Sequence, residues 1–182
     1  MAFPAFLDTC VLYPAYLCDT LLRLAEQEAF RPLWSADVMA ELRRNLTKRG
    51  LPAGPVDRRI RLMTDAFPDA MVQGYESLID RMTNDVKDRH VLAAATRANA
   101  EVIVTFNMSD FGAEALKPFD VEAVHPDDFL LDQLDLYPAR TVRALIAQAA
   151  AHRREPKTVP GLLALLDRTG LPRFAAEARR HL

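Results

Sequence analysis

An apolar run from Phe3 to Leu7 ends in a carboxylate, Asp8, and a helical pattern follows from Tyr16. This beginning constrains the chain more than any other stretch. A buried strand that closes on an acid leaves that acid at the carboxyl edge of a sheet, where open α/β folds bind their ligands. By position alone Asp8 also suits a turn or a helix cap, the commoner use of an aspartate after a strand. The acids further along, and the order of the elements that carry them, bear on which use applies.

Beyond Asp8 the periodicity predicts a helix over 16–30, with Leu17, Leu21, Leu24 and Ala25 on one face. A short strand over 33–35 follows, then a helix over 36–47 capped by Ser35, with Val38, Leu42 and Leu46 near one face and Glu41 on the same side. Residues 50–55 carry two glycines and two prolines and read as a loop. A helix over 56–67 stops before Pro68. Met71-Val72 reads as a short strand and 76–82 as a short helix, and polar residues 84–87 lead into an Ala- and Leu-rich helix over 89–98. The β-branched run Val102-Ile103-Val104-Thr105 is a strand. Residues 106–111 form a polar loop, 121–124 the last strand, and His125 opens a helix through Leu134. Strands alternating with helices predict an α/β domain with a largely parallel sheet, complete by about residue 136. Helices over 139–151, 162–166 and 174–182 make residues 137–182 a helical appendage.

Composition removes several classes. Half of the 182 residues are hydrophobic and 26% charged, which suits a globular protein with a sizeable core. No run approaches the roughly 18 apolar residues of a membrane span, and no basic stretch precedes an apolar core at the N-terminus, so no membrane partner and no secretory signal are expected. Cys10 and Cys18 do not resemble a disulfide framework or a zinc site, and a reducing cytoplasm is the expected location. Six glycines leave no phosphate loop or dinucleotide fingerprint. Charge is uneven: residues 139–182 hold nine Lys/Arg and three acids, a net of +6, against 14 basic and 22 acidic residues before them. That tail suits either a polyanionic or acidic partner, or packing against the acidic body.

Four elements each bring an acid toward one cleft: Asp8 after the first strand, Glu41 in the helix after the second, Asp88 at the front of the Ala-rich helix, and Asp110 five residues past Thr105. Each has a bland use on its own, as a cap, a solvated helix residue or a turn. Together they are costly, because two carboxylates roughly 4 Å apart repel by about 4 kcal/mol at an effective dielectric near 20. A hard divalent cation offsets that cost, and Mg²⁺ or Mn²⁺ prefers such oxygen ligands. Asp85 and Asn107 stand beside these acids as second-layer or turn residues.

The blocks Leu7-Asp8-Thr9-Cys10-Val11-Leu12, Lys87-Asp88-Arg89-His90-Val91-Leu92-Ala93-Ala94-Ala95 and Ala100-Glu101-Val102-Ile103-Val104-Thr105-Phe106-Asn107-Met108-Ser109-Asp110-Phe111, with Glu41 between the first two, resemble the PIN-domain ribonucleases that include VapC-type toxins. The resemblance covers roughly residues 1–136. It implies a three-layer α/β/α fold and carries over Asp8, Glu41, Asp88 and Asp110 as the acidic catalytic site, with Asp8, Asp88 and Asp110 as metal ligands. Asn107 stands where many members have an aspartate. The resemblance implies a Mg²⁺- (or Mn²⁺-) dependent endonuclease that hydrolyses RNA. In it Glu41 orients or deprotonates the attacking water, and Thr105 hydrogen-bonds a carboxylate or phosphate oxygen. Arg89, Lys87 or the basic tail would meet RNA phosphates. It also implies a toxin–antitoxin system, with a small antitoxin partner and a homodimer.

Two other functions stay open on sequence. A PIN-like module that binds RNA or protein without cutting draws support from Asn107. A phosphohydrolase with Asp8 as nucleophile resembles the chain only at its first strand, because Cys10 stands where that chemistry needs a second aspartate.

Overall fold

The computed structural model describes residues 2–182, which form two compact units. The first joins Phe3–Tyr13 to Arg31–Val124 and the second joins Pro14–Phe30 to His125–Leu182. The elements in chain order are β1 (Pro4–Leu7), α1 (Thr9–Leu12), α2 (Ala15–Glu26), β2 (Arg31–Ser35), α3 (Ala36–Lys48), α4 (Ala53–Ala66), β3 (Met71–Val72), α5 (Arg89–Arg97), β4 (Val102–Val104), α6 (Ala113–Leu116), β5 (Glu122–Val124), α7 (Pro126–Leu136), α8 (Pro138–Ala151), α9 (Val159–Arg168) and α10 (Pro172–Ala178). Single 3-10 turns punctuate the chain, among them Val86–Asp88 and Met108–Asp110.

In the first unit all five strands run parallel in the order β3-β2-β1-β4-β5. β1 is central, and Ala5, Phe6 and Leu7 are wholly buried. The chain winds outward from β1 to β2 and β3 on one side, then to β4 and β5 on the other. The winding direction therefore reverses between β1 and β4, where Leu7 pairs with Val104. In a parallel sheet this reversal opens a crevice beyond the carboxyl ends of the two strands. α5 packs against the sheet, and its run Ala93-Ala94-Ala95 is fully buried because small side chains let a helix approach closely. The expected α/β fold with a mainly parallel sheet and additional C-terminal helices is what the chain adopts.

Local chemistry moves several boundaries. β2 begins at Arg31, ahead of the expected strand, despite Pro32. β3 joins β2 only at Trp34 and Ser35, which leaves one edge of β2 free at the level of Pro32, where a missing N–H is tolerated. α2 stops at Glu26 rather than running to Phe30, because Glu28 takes a left-handed φ of 57° and the Ala29 N–H closes back on the Leu24 carbonyl. α9 starts at Val159, where the Thr158 hydroxyl accepts from the Gly161 N–H and Pro160 suits the first turn.

The second unit is helical, formed by α2 and α7–α10. Its core includes Leu21, Leu24, Leu145, Leu162, Leu163, Leu166 and Phe174. Gln148 on α8 is fully buried and satisfied: it accepts from the Thr20 hydroxyl at 2.7 Å and donates to the Tyr16 carbonyl at 2.9 Å. Buried Asp127 on α7 receives the Arg173 and Phe174 N–H groups that open α10. The basic charge of the tail is balanced within this unit, which holds ten Lys/Arg and ten Asp/Glu. Arg173 pairs with Asp128, Arg179 with Asp167 and Arg180 with Glu177. No helix among the described residues is long and apolar enough to cross a membrane.

Candidate active site

Asp8 leaves β1 directly into α1. Its backbone N–H donates to the Val104 carbonyl at 3.2 Å, extending the β1–β4 pairing by one residue and fixing Asp8 at the reversal point. The side chain caps α1, with Oδ1 accepting from the Thr9 N–H at 2.6 Å. Oδ2 accepts from the Thr105 hydroxyl at 2.7 Å and from the Cys10 thiol at 3.2 Å. The capping use and a site use therefore coexist in one carboxylate. Burial raises the proton affinity of Asp8, and the bonds from Thr105, Cys10 and Thr9 work against that rise.

Thr105 follows β4 directly and is fully buried. Its hydroxyl, while donating to Asp8, accepts the Asn107 N–H at 3.0 Å. It thus fixes both the first acid and the loop beyond β4. Cys10 is held between the same two strand ends, taking the Phe106 N–H on its sulfur at 3.2 Å. Burial, followed by the nearby Asp8 charge, pushes its thiol up to about 12, so it is a neutral donor and no nucleophile near neutrality.

Glu41 lies on α3, where its Oε2 accepts the Thr9 hydroxyl at 3.0 Å and stands 3.9 Å from His90 Nε2. Asp88 precedes α5 without a side-chain bond to that helix's end, so the bland capping use is absent. Its carboxyl is instead raised to about 7, by burial first, then by the Asp8 charge, a hydrogen bond with the Asp110 carboxyl, and the charges of Asp110 and Glu41. The four acids therefore act on one another through Asp88.

A cavity of about 400 Å³ is lined by Asp8, Thr9, Cys10, Tyr13, Glu41, Asn45, Lys48, Asp88 and Asn107. Asp110, half-buried on its own 3-10 turn, is outside that lining and reaches the site through Asp88. Asn107 is exposed, with its side chain in the lining. Asp85 is exposed too. It accepts the Lys87 N–H at 3.0 Å and its own N–H donates to the Asp110 carbonyl at 3.2 Å, which ties the Asp88 turn to the Asp110 turn. The sequence places none of Thr9, Tyr13, Asn45 and Lys48 at the site, and Cys10 figures there only as the residue that argues against a nucleophilic Asp8. The only available signal was adjacency to Asp8 for two of them, and the helical spacing from Glu41 to Lys48 for a third.

Among the described residues no three His, Cys, Asp or Glu side chains stand together as a ready metal-binding group. Burial first, and then the charges of Asp8, Asp110 and Glu41, favour the protonated form of Asp88, and a cation among these acids would offset both. The donor set is all oxygen, partly buried and strongly anionic. This chemistry fits a hard divalent cation and disfavours soft thiophilic ions.

Comparison with known proteins decides the family, because the PIN domain model matches residues 4–109, more than half of the chain. The chain belongs to the PIN-domain family. A second model, the VapC50 C-terminal domain, matches residues 126–180. The chain is 51% identical over 111 residues to the "Putative ribonuclease VapC50" of Mycobacterium tuberculosis, covering 61% of this chain and 65% of that protein. The chain thus matches slightly less than two thirds of that relative's length. No solved structure matches it.

Proposed function

We propose that this PIN-domain protein is a metal-dependent endoribonuclease that hydrolyses RNA phosphodiester bonds at Asp8, Glu41, Asp88 and Asp110. The observation that carries the reading is the meeting of Asp8, Glu41 and Asp88 in one cavity at the carboxyl edge of the sheet, with Asp110 against Asp88. Likeness to a VapC-type protein named as a ribonuclease supports the same reading.

Asp8, Asp88 and Asp110 would hold Mg²⁺ or Mn²⁺, with Thr105, Asn107 and Asp85 fixing them from behind. When bound, the cation lowers the pKa of a coordinated water and polarises the scissile phosphate. Glu41, oriented by the Thr9 hydroxyl, accepts a proton from the attacking water as the new P–O bond forms. The P–O bond to the leaving ribose oxygen breaks, and that oxygen takes up a proton. Thr105 keeps one Asp8 oxygen turned to the strand ends, and Cys10 supplies the second donor. No covalent enzyme intermediate is needed.

We further assign the protein the toxin role of a type II toxin–antitoxin pair, working in the cytoplasm. Its partners are RNA, a small antitoxin protein and a second copy of itself. Residues 1–136 are the nuclease domain and 137–182 a basic helical extension.

The test is cleavage of a mixed RNA pool by purified protein with Mg²⁺ or Mn²⁺, beside Asp8→Asn and Asp88→Asn. Metal-dependent cutting that both substitutions abolish is the expected result. Undiminished cleavage in both variants overturns the site assignment. RNA binding without any cutting by the wild-type chain overturns the enzyme in favour of a binding module.

A further inference from the structure

α3 carries a second constellation that the carboxylate chemistry does not use. Asp37, Glu41, Arg44 and Lys48 follow one another at spacings of four, three and four, so they form one stripe along the helix. Glu41 is shared by two hollows that flank this stripe. One is the carboxylate cavity, with Asn45 and Lys48 in its lining. The other, about 490 Å³, is lined by Asp37, Ala40, Glu41, Arg44, Lys87 and His90.

Arg44 and Lys87 reach this second hollow from different elements, α3 and the turn before α5. Both are exposed, and among the described residues neither side chain has an ion-pair partner. Two acids share the hollow and are already engaged elsewhere. Asp37 accepts the Tyr75 hydroxyl at 2.7 Å and Glu41 accepts the Thr9 hydroxyl at 3.0 Å. Arg43, the neighbour on the same helix, shows the contrast, because it is spent on a two-bond pair with Asp57. Two uncommitted cations therefore converge beside a carboxylate that also faces the candidate reaction centre.

We propose that the Arg44–Lys87 hollow is a phosphate subsite for a single RNA strand, holding a phosphate next to the bond being cut. The strand crosses the α3 stripe at Glu41. The scissile phosphodiester lies in the carboxylate cavity and the neighbouring phosphate lies between Arg44 and Lys87. On the opposite flank Lys48, one helical turn or about 6 Å of rise from Arg44, meets the strand within the carboxylate cavity itself. Arg44 and Lys87 act as positioning residues: they set where the chain of phosphates sits and touch no reacting atom. The inference rests on the nuclease reading above and adds to it which residues align the substrate.

Charge contacts to a single strand have a signature that packing defects lack. Each phosphate contact contributes roughly 0.7 to the slope of log affinity against log salt, worth about fivefold in affinity near 0.1 M. The experiment measures binding of a fluorescent single-stranded RNA of mixed sequence to the full chain carrying Asp88→Asn, which prevents cutting, across a salt series. Adding Arg44→Ala and Lys87→Ala together is expected to weaken binding by about 25-fold near 0.1 M and to reduce the slope by about 1.4. Arg58→Ala, an exposed cation of α4 outside both hollows, is expected to leave both quantities unchanged, and Arg44→Lys to keep most of the slope. An unaltered slope in the double variant overturns the subsite, as does an equal loss in Arg58→Ala. If wild-type protein cuts RNA while the slope is unaltered, the subsite alone fails. If it neither binds nor cuts RNA, the nuclease reading fails with it.

Discussion

Asp88→Asn separates stability from function, and its sign follows from the raised carboxyl. The native fold raises this acid from 3.8 to about 7, so without metal it keeps its proton at mildly acidic pH, where the unfolded chain has already lost it. An acid raised in this way costs native stability as pH rises above the unfolded value, and the cost levels off above the folded value. Each tenfold change in proton affinity is worth about 1.4 kcal/mol, which gives about 4 kcal/mol as a ceiling. Asp88 is only half-buried, so solvent screening reduces this to about 1–2 kcal/mol. Asparagine keeps the volume and removes the charge. For a chain of this length each kcal/mol moves the thermal midpoint by about 2–4 °C. In EDTA near pH 8 the variant is expected to melt about 3–6 °C higher than wild type, with the gap closing toward about pH 4.5. Mg²⁺ or Mn²⁺ is expected to raise the wild-type midpoint and to raise that of the variant far less. A variant that melts no higher than wild type near pH 8, or equally higher at both pH values, refutes the reasoning.

Other consequences follow from particular contacts. Glu41→Gln keeps its shape and the Thr9 bond while losing the proton acceptor, so turnover of RNA is expected to fall about 10²–10⁴-fold with an unchanged unfolding transition. Thr105→Val leaves a buried Asp8 oxygen and the Asn107 N–H short of a partner. It is expected to cost about 1.5–3 kcal/mol, read as a lower urea midpoint. Cys10, with its thiol near 12, is expected to resist alkylation in the folded protein near pH 8, and Cys10→Ser, which keeps a donor to Asp8, to retain cleavage. Gln148→Ala removes two buried hydrogen bonds of the helical unit and is expected to destabilise the chain by about 2–4 kcal/mol.

What the sequence made legible follows physical scale. Asp8 at a strand end, the β-branched β4 and the Ala-rich α5 are strong local signals, and together they placed the parallel sheet and its acids in order. α1 escaped because four residues are too short for a helical period to register. With it went the roles of Thr9 and Cys10, which depend on how that turn faces α3 and the end of β4. β2 reaches back to Arg31 past Pro32, a residue that argues against a strand unless the length of β3 is known. The tail looked basic because its acids are distant in sequence: α2 and α7 supply the balancing charge. The Arg44–Lys87 convergence is only half legible in the sequence: Lys87 stands out as a phosphate contact beside Asp88, whereas Arg44, far from it in the chain, gains meaning only from the hollow they share.

The central claim, that these carboxylates form one divalent-cation site, is tested most directly by anomalous diffraction from crystals of the full chain grown with Mn²⁺. The account predicts a single strong peak within about 2–2.4 Å of oxygens from Asp8 and Asp88, lost in crystals of Asp88→Asn. A saturating Mn²⁺ soak that leaves Asp8 and Asp88 without a peak, or places the ion at other residues, would contradict it.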